Sequence, residues 1–301
     1  MWANIDLLIQ VPKLAAGLFL EGLLIGAVFS LIAYGLALVW GVMNVKNLAQ
    51  GPFVIAGGYI CWYLSTLGLH PVLGMFAAAV VMWGLSWICF KLVVSKVLEL
   101  DMFVSLLATF GLAYVLEQSL SLAFTQDTQT INLGWGSLDV FGDGLVLLAW
   151  QKVMAFAICC VLAVVLVLFM KRSRMGQAIR ATAQNARAAR VMGIDTDKVY
   201  SFTFCLNGAI CGAAGALVAM IWVIQPFYGI TYSIRAFVLV VAAGLGNLPG
   251  VILAGLGMGG LEQFGGFIIG AEYQQALVVG MLLAVLVVRL LQQSRKRQAV
   301  A

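Results

Sequence analysis

Residues 17–40 read GLFLEGLLIGAVFSLIAYGLALVW, an apolar run that is interrupted by one carboxylate, Glu21. A helix that crosses a bilayer needs about 20 such residues, so this run is long enough. Inside lipid, backbone polar groups are satisfied only within a helix or a closed barrel. A barrel strand alternates polar and apolar residues, and this run does not. The stretch therefore predicts a membrane-spanning α-helix.

The rest of the chain repeats this pattern. Of its 301 residues, 63% are hydrophobic and 10% are charged, whereas a soluble domain is about half apolar and a quarter charged. We therefore predict an all-α polytopic membrane bundle of about 8–9 transmembrane segments, formed by 1–301 as a single domain. The predicted spans lie near 17–40, 52–67, 71–95, 102–124, 152–170, 201–223, 234–246, 250–270 and 273–291.

Two of these spans, 52–67 and 234–246, are short for a bilayer, which indicates re-entrant or broken helices. Each precedes a break that contains glycine and proline, LGLHP at 67–71 and LGNLP at 245–249. With nine crossings the two breaks lie on opposite faces of the membrane. This is the pattern of an inverted repeat that pairs spans one to four with six to nine. Convergent loop chemistry is the alternative.

Basic residues decide the predicted orientation, because loops rich in Lys and Arg stay in the cytoplasm. Seven of them lie in one loop, and others close the chain. With nine crossings, the N-terminus is outside, the C-terminus is cytoplasmic, and the loop 125–151 is external. The basic loop contains Lys171, Arg172, Arg174, Arg180, Arg187, Arg190 and Lys198, the tail contains Arg295, Lys296 and Arg297, the external loop contains Asp127, Asp139 and Asp143, and Lys13, Lys152 and Arg235 remain outside.

The basic loop 171–199 is the strongest functional candidate. Its residues 177–192 are good helix formers, and Gly193 supplies a C-terminal cap. We expect one short helix on the cytoplasmic face, with Ala181, Ala188 and Met192 forming a small-residue face that enters a groove on a partner. The alternative is a loop that only orients the protein and contacts anionic lipid.

Amides and glycines between apolar spans form a second candidate, because unwound backbone is tolerated at membrane depth where it lines water or protein. An ordinary turn is the alternative. Glu262 lies within a span, where a carboxylate is costly unless it faces water or a partner. It could also be a structural hydrogen-bond acceptor. The predicted substrate-pathway residues are Asn44, Asn47, Gln50, Gly51, Tyr59, Gly244, Gly246, Asn247 and Glu262.

Several kinds of chemistry are not indicated. The chain has no GxxxxGK[ST] phosphate loop, and its one histidine, His70, rules out a HExxH motif. Its six cysteines have neither CxxC spacing nor nearby histidines, so we interpret them as packing residues. We expect no enzyme activity, no metal site and no nucleic-acid partner.

An ordered series of motifs resembles the permease family of bacterial branched-chain amino acid (LIV-type) ABC importers, to which the urea and amide permeases are related. Two features depart from the family. Gln50 stands where histidine is frequent, and the chain lacks the usual Gly-Leu-Phe tail. The matching motifs are Gly41-Val-Met-Asn44 with Asn47 and Gly51, Gly57-Gly58-Tyr59, Thr109-Phe110-Gly111, Ala183-Gln184-Asn185 through Met192-Gly193-Ile194, and Gly244-Leu245-Gly246-Asn247-Leu248-Pro249-Gly250 with the glycines that lead to Glu262.

The resemblance implies a subunit of the bacterial cytoplasmic (inner) membrane that imports branched-chain or other small neutral amino acids by alternating access. Its partners would be a second, homologous permease subunit in a heterodimer, two cytoplasmic ATPases, an extracytoplasmic binding protein and membrane lipid. ATP and Mg²⁺ would bind to the ATPases, and no cofactor to this chain. The resemblance assigns ATPase coupling to Arg180, Ala183, Asn185, Ala188, Met192, Gly193 and Ile194.

Three other functions remain open. One, which the resemblance also allows, is an ABC permease for urea or short amides. Another is a secondary transporter or channel that works without ATP, and the third is a membrane scaffold.

Overall fold

The computed structural model describes residues 2–298 except 99, 141, 143, 145 and 245, so Asp143 and Leu245 of the sequence predictions lie outside the described residues. Almost all of the regular structure is helical. The elements are α1 Trp2–Gln10, α2 Pro12–Met43, α3 Gln50–Thr66, α4 Pro71–Cys89, a π-helical turn Phe90–Val94, α5 Ser95–Val97, α6 Met102–Phe124, β1 Ser137–Asp139, β2 Leu147–Ala149, α7 Trp150–Arg172, α8 Arg174–Gln184, α9 Ala186–Val191, α10 Thr196–Ile221, a 3₁₀ turn Pro226–Tyr228, α11 Gly229–Ala243, α12 Leu248–Ile269, a 3₁₀ turn Ala271–Tyr273 and α13 Gln274–Gln298.

The predicted helical membrane bundle is confirmed, and each predicted span corresponds to a helix. Seven helices of the described chain are long and apolar enough to cross a membrane. The remaining two predicted spans correspond to α3, which has 17 residues, and to α13, whose apolar part with the preceding turn covers Ala271–Val287. Proline begins α2 and α4, where its missing N–H leaves no hydrogen bond unmade.

The bundle has two distinct ends. One end, which we call the loop face, carries the segment between α6 and α7. Its strands β1 and β2 pair antiparallel in a short hairpin, and Gln129 bridges to Ile224 just beyond α10. The opposite end, which we call the basic face, carries α8 and α9. The hairpin has no counterpart in the sequence predictions, because its strands have only three residues each.

The core consists of two helices that are buried along most of their length, α2 and α10. Helix α2 packs most extensively against α12, and α10 packs most extensively against α4. If spans one to four match spans six to nine, α2 corresponds to α10 and α4 corresponds to α12. The contact of α2 with α12 then corresponds to the contact of α10 with α4. The smaller contacts also correspond, since α3 lies against α6 as α11 lies against α13. The packing between these helices therefore has the correspondence that the predicted inverted repeat requires.

The two short helices, α3 and α11, begin in the middle of the bundle. The Gln50 side chain at the start of α3 bonds to the carbonyl of Ile32, which lies about 16 Å from the basic-face end of α2. Gly229, which begins α11, contacts Gly51. From this shared point α3 runs to the loop face, whereas α11 runs to the basic face, where Gly246 lies near Gly41. Helix α3, with 17 residues, is short as the sequence predicted, whereas α11 with its preceding turn, Pro226–Ala243, is long enough to cross a membrane.

One prediction about the basic face is wrong. The residues 177–192 do not form a single helix, because α8 ends at Gln184 and α9 begins at Ala186. Between them Asn185 has an extended backbone, with φ −158° and ψ 101°. Its side-chain oxygen accepts a hydrogen bond from the backbone N–H of Ala188 at 3.0 Å. Asparagine competes for backbone N–H groups in this way, so it favours a helix start over a helix interior.

Candidate functional site

The first predicted pathway residues lie where α3 and α11 meet. The backbone N–H of Gly51 donates to the Ser233 hydroxyl at 2.8 Å, and that hydroxyl donates to the carbonyl of Leu48 at 2.9 Å. A Cβ atom added to Gly51 would collide with the carbonyl oxygen of Gly229. The junction therefore requires glycine at position 51, and it fixes the two helices to each other.

The neighbouring amides are more buried than the sequence suggested. Asn47 and Gln50 are 0% exposed, whereas we expected them to face a polar cavity. Gln50 Nε2 donates to the carbonyl of Ile32 at 2.8 Å, and Asn47 Oδ1 accepts a backbone N–H two residues further on at 3.1 Å. The ring of Tyr59 stacks on Phe124 with 4.9 Å between centroids. Gln50 and Tyr59 thus join helices, whereas Asn47 holds the turn before α3, and the place of all three on a substrate pathway stays a prediction.

A cavity of about 840 Å³ opens at the basic face and brings two predicted groups together. Its lining includes Asn44 and Gly246 from the predicted pathway, and Arg180, Ala183 and Asn185 from the predicted coupling segment. Asn44 ends α2 in a left-handed conformation, with φ 55°. We call this space the inner cavity.

The turn between α11 and α12 contains two further predicted pathway residues, Gly244 and Asn247. Gly244 and Gly246 have φ angles of 93° and 80°, which a side chain would strain. Asn247 precedes α12, and its Oδ1 accepts a hydrogen bond from the backbone N–H of Gly250 at 3.1 Å. Of these residues Gly246 lines the inner cavity, and Asn247 caps the helix whose first residues, Leu248 and Pro249, line it as well.

The predicted coupling residues on and after α9 are mostly exposed. Ala188 and Gly193 are exposed, and Met192 is 81% exposed. Gly193 has φ 83° and follows the helix as its C-terminal cap, which confirms that prediction. Ile194 is half-buried, and its N–H donates to the carbonyl of Ala189 at 3.0 Å. An exposed, capped helix with small side chains is suited to docking against another protein.

Two arginines connect this helix pair to the bundle. Arg180 of α8 donates to the carbonyl of Met170 in α7 at 2.5 Å. Arg190 of α9 donates through Nε to the Thr196 hydroxyl at the start of α10 at 2.6 Å. A displacement of α8 and α9 would therefore reach both α7 and α10.

Asp195 stabilises the start of α10 on the same face. Its Oδ1 accepts the backbone N–H of Lys198 at 3.1 Å, and its carboxylate pairs with the Lys198 ammonium at 3.0 Å. The hydrogen bond from the Lys198 backbone, followed by the one from its side chain, holds the pKa of the Asp195 carboxyl below its usual range. A charged carboxylate is thus kept at the positive end of the helix dipole.

A second cavity, of about 540 Å³, opens nearer the loop face, and we call it the outer cavity. It contains Glu262, which is paired with Arg235 at 2.5 Å. Both side chains are largely buried, with 7% of Glu262 and 17% of Arg235 exposed. The guanidinium of Arg235 also lies over the ring of Phe29, 4.8 Å from its centroid. An ion pair between α11 and α12 thus lies beside the ring of Phe29 from α2.

Arg235 is the functional candidate that the sequence predictions missed. The sequence prediction places it outside the membrane, although it lies at the start of the predicted span 234–246. The helix begins earlier, at Gly229, and the preceding 3₁₀ turn starts at Pro226. The one available signal was Glu262, since a carboxylate within a span needs a cationic or polar partner.

The described residues show no group of three or more His, Cys, Asp or Glu side chains that could hold a metal ion. The cysteines are free thiols, and all except Cys160 are buried. Cys211 shows their role, because its sulfur packs 3.9 Å from the carbonyl oxygen of Gln50 beside the junction. Such thiols behave as small apolar packing residues.

Comparison with known proteins agrees with this arrangement. Residues 18–286 match the family described as "Branched-chain amino acid transport system / permease component". The chain is 29% identical to the high-affinity branched-chain amino acid transport system permease protein BraD of Pseudomonas aeruginosa, over 89% of this chain and 92% of that protein. It is 26% identical to the LivH permease protein of Salmonella typhimurium, over 89% and 91%.

A more distant similarity covers part of the chain. The ribose import permease protein RbsC of Escherichia coli is 32% identical over 124 residues, which is 38% of this chain and 39% of that protein. No solved structure gives a significant match. The similarity to the amino acid permeases thus extends over most of both chains, whereas the similarity to the sugar permease is local.

Proposed function

This chain belongs to the family of branched-chain amino acid transport system permease components, and we propose that it forms half of the pathway through which an ATP-driven importer moves branched-chain or other small neutral amino acids. It is a multi-pass membrane protein of the inner membrane. The observation that carries the proposal is the exposed helix pair α8–α9 beside the inner cavity. A transporter driven by separate ATPases needs such a docking element next to its gate.

The proposed substrate rests on the relatives and on the chemistry of the bundle. BraD and LivH are named as permeases for branched-chain amino acids. Ionic side chains within the spans are few, which suits a solute without net charge. A urea or short-amide permease remains the alternative within the same family.

The proposed partners follow from the two faces. Two cytoplasmic ATPases, which would bind ATP and Mg²⁺, would contact α8–α9 of this chain and the same element of a second, homologous permease subunit. Alanine and glycine at positions 188 and 193 would permit close approach to a groove on the ATPase. An extracytoplasmic binding protein would deliver substrate at the loop face, and lipid would cover the exposed apolar sides of α4, α6 and α7.

The proposed mechanism is alternating access. Closure of the ATPases would move α8–α9, and the bonds of Arg180 to α7 and Arg190 to α10 would transmit that movement. Helix α10 packs against α3 and α4, so its displacement would change the junction where α3 and α11 begin. The inner and outer cavities lie on opposite sides of this junction and would open in turn.

The proposed orientation places the basic face in the cytoplasm. Lys and Arg are concentrated there, and such loops are retained on the cytoplasmic side. The helices that alternate between the faces then leave the N-terminus outside and the C-terminus in the cytoplasm.

The test is reconstitution of this chain with its partner subunits in proteoliposomes. We expect uptake of labelled leucine that requires both ATP and the binding protein. Uptake driven by an ion gradient without ATP would show a secondary transporter instead. Uptake of urea but of no amino acid would contradict the substrate, and the absence of transport for any solute would indicate a scaffold.

A further inference from the structure

The ion pair in the outer cavity leaves two polar atoms unused. Glu262 receives the Arg235 hydrogen bond on Oε1 at 2.5 Å, whereas its Oε2 is buried and has no hydrogen-bond partner among the described residues. The Nε of Arg235 is likewise buried and without a partner there. A buried polar atom that makes no hydrogen bond costs free energy. Hydrogen bonds from a bound ligand to these two atoms would therefore stabilise the ion pair.

Two aromatic rings lie beside the cation. The guanidinium carbon of Arg235 is 4.8 Å from the centroid of the Phe29 ring, and the Trp222 ring is stacked on Phe29 with 5.6 Å between centroids and 4° between planes. Arginine is attracted to the face of an aromatic ring, and its planar fork of N–H groups is pre-organised. A planar guanidinium is the group that proteins use to bind a carboxylate.

The cavity beside the pair combines apolar and polar walls. Ile25, Phe29 and Trp222 form an apolar side, whereas Gln263 and Gln274 contribute amides. A volume of about 540 Å³ lies in the range of ordinary small-molecule sites. The pair itself has no net charge, so a ligand that is also neutral overall enters without adding a net charge to the membrane interior.

We infer that the outer cavity is a binding site for a zwitterionic α-amino acid, whose ammonium bonds to Glu262 and whose carboxylate bonds to Arg235. The inference rests on the proposed import function, since it names the place where the substrate is held. The apolar side chain of the ligand packs against Phe29 and Trp222.

An ion pair that only joins α11 to α12 would behave differently on replacement. A buried pair can be exchanged for apolar residues of similar volume with little loss of stability, whereas removal of one partner leaves an isolated buried charge. The double variant Arg235→Met/Glu262→Leu therefore separates the two roles. It keeps a packed contact between the helices, and it removes both groups that would recognise a zwitterion.

The experiment measures two quantities with the complete importer. Binding of tritiated leucine is measured on the purified membrane complex without the binding protein, and leucine uptake is measured in proteoliposomes. We expect the double variant to assemble with a normal thermal midpoint and to lose at least about tenfold in both binding and uptake, since hydrogen bonds to charged groups contribute roughly tenfold to 100-fold. The matched control is Glu117→Gln, which removes a carboxylate of α6 outside the outer cavity and should change neither.

Analogues of leucine test the chemistry of recognition in the unmodified complex. Leucinol lacks the carboxylate and 4-methylpentanoate lacks the ammonium, so each should compete with leucine at least tenfold more weakly. Equal competition by either analogue would overturn the inference, as would unchanged leucine binding and uptake in the assembled double variant. Absence of leucine binding to the unmodified complex would overturn it as well. A complex that binds leucine through this pair but transports none would contradict only the import function.

Discussion

At the residue scale, glycine determines how closely the core helices approach. Gly22 and Gly26 of α2 face Gly255 and Gly259 of α12, and a Cβ atom added to Gly259 would lie 2.6 Å from the Cα atom of Gly26. Lipid offers no hydrophobic force that drives helices together, so membrane helices depend on such close packing. The hydroxyl of Ser30 adds a hydrogen bond to the carbonyl of Ile252 at 3.1 Å.

Gly259→Val tests this packing. We expect it to lower the free energy of unfolding by about 1–3 kcal/mol, because the added atoms meet backbone that cannot move aside. The measurement is the thermal or denaturant midpoint of the purified protein in detergent. Gly257→Val is the matched control on the same helix, since a Cβ atom added to Gly257 meets no atom within 4 Å. Equal destabilisation by both variants would show that loss of glycine, not contact, is responsible.

The ion pair shows what sequence reasoning reaches at this scale. The cost of a carboxylate within a span predicts that Glu262 has a partner or faces water. It does not identify Arg235, which is 27 residues away in the chain. Only the packing of α11 against α12 brings the two side chains together.

At the scale of elements, the central feature is the junction where α3 and α11 begin. The Ser233 hydroxyl satisfies the N–H of Gly51 and bonds to the carbonyl of Leu48, so one side chain joins both halves of the repeat. The first N–H groups of a helix have no partner within the helix. In the interior of a membrane bundle, a side chain must therefore supply one.

Ser233→Ala should destabilise the junction. Loss of the hydroxyl leaves the N–H of Gly51 without its partner, and an unsatisfied buried group costs about 1–3 kcal/mol. The measurement is again the unfolding midpoint, combined with leucine uptake. Ser119→Ala is the control, because the Ser119 hydroxyl bonds only to the carbonyl four residues earlier at 2.7 Å on an exposed face of α6. A midpoint that is equally unaffected in both variants would contradict the structural role of Ser233.

The helix pair α8–α9 is the other element with a testable role. Ala188 is exposed, so Ala188→Trp should leave the fold intact and obstruct only a partner that docks there. We expect leucine uptake to fall at least about tenfold, while ATP hydrolysis is no longer stimulated by the binding protein, because loss of a close docking contact of this kind costs more than about 1.4 kcal/mol.

A tryptophan at a position away from α8–α9 is the control for the size of the added side chain. Gly84→Trp adds the same side chain at an exposed position of α4 where a Cβ atom meets nothing within 4 Å. It should leave coupling unchanged. If Ala188→Trp also leaves both uptake and stimulated hydrolysis unchanged, α9 is not the coupling element.

At the scale of the whole molecule, charge is distributed between two faces. Basic side chains are concentrated at the face that carries α8 and α9, whereas the opposite face carries the hairpin β1–β2. Near the hairpin, Lys152 is paired with Glu21, which neutralises one of the few cations at that end. This asymmetry predicts the orientation in the membrane.

Labelling of single cysteines tests the orientation in intact cells. In a Cys160→Ser background, which removes the exposed thiol, Ser137→Cys should react with a membrane-impermeant maleimide from outside. Gln184→Cys should react only after the membrane is permeabilised. The reverse pattern would invert the proposed topology, and the two thiols provide matched controls for each other.

The sequence alone determined the class of fold, the helical spans and the family. These depend on local properties: apolar length, proline and glycine breaks, and an ordered series of motifs. Helix boundaries followed less well, because capping by Asn185 divides α8 from α9 and an early start of α11 draws Arg235 into the bundle. Contacts between distant residues were decided only by the tertiary structure. Whether Gln50 is buried, whether Gly51 meets Gly229, and which cation pairs with Glu262 all depend on how the helices pack, and no short stretch of the chain encodes that packing.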